Sequence, residues 1–196
     1  MEKQNYNYAI VRSFVIWSLI WGLVAVLVGV IVSFQMVEPD LNFPPYLTFG
    51  RLRPIHTNAA IYGWGVGVIF ATFLYIVQRL CKTPLWSDKL AKFQLYFFNA
   101  TIIASAVTLL LGYTTSKEYH EMEWPIDVMI VILWVAFGIN IIMTILKRKD
   151  EQMYISLWYM MASIVGVAIL FLVNAAAEPV SLFKSYSAYA GTNDAN

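Results

Sequence analysis

Charge is what this sequence has least of. Only 13% of its 196 residues are charged, against roughly 25% in an average soluble domain, while 60% are hydrophobic and 16% aromatic. That deficit excludes an ordinary water-soluble globular fold. Cysteine is nearly absent: the single Cys81 makes no disulfide within the chain and no cysteine metal cluster. It is expected as an inert thiol in a basic loop. Histidine is almost as scarce, with His56 and His120 alone. No basic excess marks a nucleic-acid partner, since the net charge is +1.

Long uncharged runs take the place of the missing charge. Residues 13–37, 54–78, 93–116, 128–146 and 153–177 contain no Asp, Glu, Lys or Arg. A spanning helix needs about 20 mostly apolar residues, and runs of this length exclude the alternating strands of a membrane barrel. The expected fold is an all-α integral membrane bundle of five transmembrane helices, a single domain over residues 1–196. The first run is too long for the roughly 7–15-residue apolar core of a signal peptide, so it reads as a retained helix.

The charges that exist are sorted by side. The N-terminus and the second and fourth connections carry nine of the thirteen basic residues, net +5, and the alternate loops are net −4. Lys and Arg in short loops stay cytoplasmic. The N-terminus is therefore expected in the cytoplasm, and the end of the fifth helix on the outer side. The acidic outer face would attract a cationic soluble partner.

Two arginines break that order, in the stretch FGRLRPIHTNA (49–59). Arg51 and Arg53 stand on the outer side. Pro54 suits the first position of a helix, which puts His56 in the first turn of helix 2. An ionisable residue in a membrane span is a functional candidate because its placement is costly. At about 100° per residue, Ala59, Ala60, Gly63, Gly67 and Ala71 share the face of His56. Such a stripe admits two readings. Gly63-x-x-x-Gly67 can bring a neighbouring helix close, or the cleared face can receive a flat macrocycle whose iron the histidine binds. Arginines beside it then meet the propionates. Histidine, stripe and arginines together favour the haem. The run GWGVGVIF, lying inside an uncharged span with no strand before it, is not a nucleotide loop. Asn58, Asn99, Asn140 and Asn174 are expected to hydrogen-bond between helices.

Around GRLRPIHTNA the chain resembles the catalytic subunit I of cbb3-type cytochrome c oxidases, the C-family of haem-copper oxygen reductases. The blocks SFQMVEPDLNF, FATFLYIVQR, KEYHEMEWPID and EPVSLFKSYSAYAGTNDA extend the likeness along nearly the whole chain. The resemblance implies His56 as an axial ligand of the low-spin haem b and Arg53, with Arg51 less securely, beside its propionates. It also implies a calcium ion near the propionates with a ligand at Glu118, or alternatively Glu121. The other reading of that segment is a solvated acidic loop, with His120 exposed in it. The family subunit has twelve transmembrane helices, so the chain corresponds to its N-terminal part. Its copper ligands, high-spin haem b ligand and second low-spin haem ligand lie on later helices.

The implied setting is a bacterial inner membrane. There cytochrome c delivers electrons through membrane-anchored haem-c subunits, and oxygen is reduced to water with proton translocation. The chain alone is expected to be inactive. Three alternatives stand beside this reading: a nitric oxide reductase large subunit, a small haem-b membrane protein using both histidines, and a cofactor-free structural protein.

Overall fold

A computed structural model describes residues 6–115, 117 and 119–187. Five helices are long and apolar enough to cross a membrane. They are α1 (Tyr8–Val37), α2 (Phe49–Cys81), α3 (Asp88–Leu111), α4 (Trp124–Leu146) and α5 (Ile155–Ala175). A two-stranded antiparallel hairpin, β1 (Ala177–Ser181) with β2 (Lys184–Ser187), follows α5. The chain is thus a multi-pass membrane protein, with the backbone polar groups of its spans paired inside each helix.

Each expected span is present, and the ends are set by local chemistry rather than by where charge begins. Helix α1 starts five residues before the uncharged run, because the Asn7 side chain accepts a hydrogen bond from Ile10 N and caps it. Ser87 caps α3 in the same way through Leu90 N. That helix stops at Gly112, whose φ of +88° only glycine adopts without strain. The run to residue 116 therefore overshoots the helix. The last span likewise ends at Ala175, where the chain turns into the hairpin.

The centre of the bundle is aromatic. Phe14 of α1, Phe70 of α2, Phe98 of α3 and Phe137 of α4 are fully or almost fully buried and meet ring to ring at 4.5–6.0 Å. Polar residues tie the elements together where the rings end. Trp21 Nε1 donates to Asn99 Oδ1 at 2.9 Å, joining α1 to α3. Asn140 instead grips a loop, exchanging bonds of 3.1 Å with the backbone of Ser87. The Asn174 side chain is exposed, and it is the Asn174 carbonyl that accepts from Lys117 Nζ. Asn99 is thus the interhelical amide that the sequence led us to expect. Cys81 lies at the end of α2, fully buried, and not in a loop.

Candidate functional site

Helix α2 does not start at Pro54. Thr48 is its N-cap, and Arg51 N and Leu52 N both bond the Thr48 carbonyl at 3.0 Å. Proline is the sixth helical residue. Its missing N–H and its ring both fall on the Gly50 carbonyl one turn back. His56 consequently lies in the second turn, roughly 10 Å along the axis from the helix start. Beyond it, Ala59–Val66 forms a π-helix. Such wide turns are rare and often sit at functional places.

The imidazole of His56 points at α1. Its Nδ1 is 2.7 Å from the carbonyl oxygen of Ala25. A carbonyl can only accept, so Nδ1 carries the proton and the lone pair resides on Nε2. Room for the ring is made by Gly29. A Cβ there would lie 2.7 Å from His56 Cε1 and 2.8 Å from Nδ1, closer than any side chain can come. Neither Ala25 nor Gly29 drew attention in the sequence, although Ser18, Gly22, Ala25 and Gly29 recur every three or four residues on α1.

The stripe after His56 is not an open face. A Cβ on Gly63 would lie 2.8 Å from Trp21 Cβ, and one on Gly67 would collide with Ser18 Oγ and meet Phe98 at 3.1 Å. The small residues of α2 and α1 therefore mesh, which is the helix-packing alternative. Gly63 faces Trp21 of α1, and Gly67 faces Ser18 of α1 and Phe98 of α3. Ala60 is half-buried.

The two arginines, about 200° apart on the helix, part company. Arg51 donates from Nη1 to the Leu110 carbonyl near the end of α3 and lies over the Tyr46 ring at 5.7 Å. Arg53 turns to the loop between α3 and α4, with Nη2 3.8 Å from Glu121 Oε1. Asn58 completes the join: its Nδ2 donates to Pro54 O at 2.7 Å and to Glu121 Oε2 at 3.0 Å.

That loop is not a solvated acidic turn. Glu121 is 2% exposed and Glu123 3%, and Lys117, His120 and Asp127 are also buried. Glu118 lies outside the described residues. His120, expected to be exposed, packs edge-on to Phe171 at 4.9 Å. Burial, and secondarily the nearby Lys117, push its pKa down to about 4. Its approach to Asp127, 3.6 Å from Nε2 to Oδ1, is therefore no ion pair at neutral pH. The two histidines also face different helices, His56 toward α1 and His120 toward α5, which disfavours bis-histidine ligation of one haem. Among the described residues no group of three or more His, Cys, Asp or Glu could hold a metal.

Residues 9–196 match the family "Cytochrome C and Quinol oxidase polypeptide I". The chain is 47% identical over 191 residues, 97% of its length, to the Cbb3-type cytochrome c oxidase subunit CcoN1 of Stutzerimonas stutzeri, and covers 40% of that protein. It is 40% identical over 196 residues to a bacteroid cytochrome c oxidase subunit 1 homolog of Bradyrhizobium diazoefficiens, covering 36% of it. To a nitric oxide reductase chain of Stutzerimonas stutzeri it is 28% identical over 182 residues, covering 84% of the present chain and 36% of that relative. The chain thus spans about two-fifths of the length of these relatives. It therefore belongs to the cytochrome c and quinol oxidase polypeptide I family of haem-copper oxidases, and within that family is similar to the cbb3-type subunit.

Proposed function

We propose that these 196 residues form part of the catalytic subunit of a terminal respiratory oxidase, and that His56 is an axial ligand of its low-spin haem b. The observation that carries this is the fixed tautomer. A metal-binding histidine commonly donates its other ring N–H to a backbone carbonyl, which sets the ring's orientation and raises its basicity. His56 makes the corresponding contact, with Nδ1 2.7 Å from Ala25 O in a slot shaped by Gly29, and Nε2 is the nitrogen a metal would take. A haem bound there would supply one-electron redox chemistry.

The residues around it divide the remaining work. Arg53, three positions before His56 and so on an adjoining face, offers a guanidinium to a propionate carboxylate. Glu121 faces that guanidinium from the loop side and is itself held by Asn58 Nδ2. Arg51, committed to the end of α3, is left out of this group. The calcium expectation rests on Glu121 among the described residues. Its Oε1 has no hydrogen-bond partner but already lies 3.8 Å from the Arg53 guanidinium, and one carboxylate does not make a calcium site. Other ligands, such as the propionates, complete it.

In the whole protein the N-terminus is cytoplasmic, and the His56 end of the bundle faces the outside of a bacterial inner membrane. Membrane-anchored haem-c subunits and cytochrome c are the electron donors, and the acidic outer loops favour a cationic one. The site that reduces oxygen to water, with its high-spin haem b, copper and coupled proton translocation, lies outside these residues. Two histidines cannot supply it, and the isolated chain has no oxidase activity.

The test is His56→Ala in the full-length subunit, read as the reduced-minus-oxidised spectrum. The low-spin haem b signal is expected to vanish while the subunit still assembles in the membrane. An unchanged spectrum would remove His56 as the ligand.

A further inference from the structure

At the end of the bundle where α1 leaves the membrane and α2 enters it, the structure holds an apolar groove of about 550 Å³. Its walls come from α1 (Val28, Ile31), from α2 (Leu52, Ile55) and from α3 (Ala106, Leu110), and the loop after α1 closes one end with Leu41 and Leu47. The loop is clamped there by Gln35, which donates from Nε2 to Leu41 O at 3.1 Å and to Leu47 O at 2.8 Å. Gln35 also lines the groove, is only 4% exposed, and leaves its Oε1 with no hydrogen-bond partner.

The groove is graded from polar to apolar along the membrane normal. Gln35 is two residues from the end of α1, and Arg51, the third residue of α2, flanks Leu110 and Tyr46 at the same end. Val28 lies seven residues deeper in α1, roughly 10 Å at 1.5 Å per residue, and lines the groove with Ile31, Ile55 and Ala106. One guanidinium N–H of Arg51 is taken by the Leu110 carbonyl, and further N–H groups remain to meet an anion. An acceptor and a cation at the headgroup level above a hydrocarbon slot match one kind of molecule. The volume lies in the range of sites that enclose one ligand of acyl-chain size.

We propose that this groove is a binding site for a single phospholipid. Its acyl chain lies along Val28, Ile31, Ile55 and Ala106, its phosphate meets Arg51, and a headgroup hydrogen-bond donor meets Gln35 Oε1. Phosphatidylethanolamine carries both the phosphate and the donor, whereas phosphatidylcholine has the phosphate and no donor. The site needs only the membrane embedding of the chain and is independent of any haem at His56.

Native mass spectrometry of the delipidated full-length subunit, titrated with palmitoyl-oleoyl phosphatidylethanolamine or phosphatidylcholine, tests it. Wild type is expected to retain one phosphatidylethanolamine in preference to phosphatidylcholine. Ala106→Trp and Val28→Trp, which fill the slot from two different helices, lose that lipid. Arg51→Gln weakens it about tenfold, the effect of one charge-assisted bond. Gel filtration and the thermal unfolding profile separate a misfolded variant from a folded one with a blocked groove. Equal lipid retention in wild type and a folded filling variant overturns the proposal. So does no preference between the two lipids, or a protein segment or detergent tail occupying the groove in the structure of the full-length subunit.

Discussion

The slot that holds His56 can be tested without touching the histidine. Gly29→Ala adds a single methyl group, and its Cβ would sit 2.7 Å from His56 Cε1 and 2.8 Å from Nδ1. Ordinary van der Waals contact requires the ring to withdraw by about 1 Å, since carbon pairs settle near 3.5–4.0 Å. The bond from Nδ1 to Ala25 O, now 2.7 Å, would stretch past the 3.2 Å limit of a normal N–H···O bond. Overpacking costs about 1–3 kcal/mol and the lost bond about 1 kcal/mol. Alanine's better helix propensity returns about 1 kcal/mol, leaving a net loss of about 1–3 kcal/mol. Gly166→Ala is the control: it lies in α5 with nothing within 4 Å of the new Cβ, and its stability should be unchanged or slightly improved. Both variants would be made in the full-length subunit and compared by thermal unfolding and by the reduced-minus-oxidised haem b spectrum. Gly29→Ala should lower the unfolding temperature and diminish or shift the low-spin haem signal, and Gly166→Ala should do neither. If Gly29→Ala matches wild type in both measurements, the slot does not hold the histidine as the structure shows.

Three further outcomes are expected. Asn99→Leu removes the acceptor of Trp21 Nε1 between α1 and α3 and should destabilise the bundle by about 1 kcal/mol, the scale of interhelical hydrogen bonds in membranes, as read by unfolding in detergent. Glu121→Ala strips Arg53 and Asn58 of a shared buried partner and should cost about 1–3 kcal/mol. Glu121→Gln, which keeps an acceptor for Asn58, should cost less, and equal losses would place the energy in the charge alone. Folding lowers the His120 pKa from 6.5 to about 4, so between those values the unfolded chain binds more protons than the folded one. The His120 share of the stability should therefore fall as pH drops from about 6.5 toward 4, by up to roughly 3 kcal/mol. It is read as the difference between the wild-type and His120→Leu profiles, and parallel profiles would refute it.

What could be read from the sequence followed from one-dimensional physics. Twenty apolar residues in lipid must be helical, so five spans were visible in the composition, and the scarcity of charge made Arg51, Arg53 and His56 stand out. What stayed hidden depended on partners distant in the chain. The exception is local: the Asn7 side chain caps Ile10 N and starts α1 ahead of the uncharged run. His120 and Glu121 look like solvent-exposed loop residues until Phe171 and Arg53 are brought over them. The stripe on α2 is the instructive case. Its small residues were legible, but a stripe states only that something approaches closely. Whether that is a helix or a ring depends on what α1 presents, and α1 presents Ser18, Trp21 and Gly29 in matching order. The same glycines that could have cleared room for a cofactor bring α1 near enough for Ala25 to reach His56. Close packing and a prepared ligand are therefore one feature, since the carbonyl that fixes the tautomer is within 2.7 Å only because both helices are stripped of bulk where they cross.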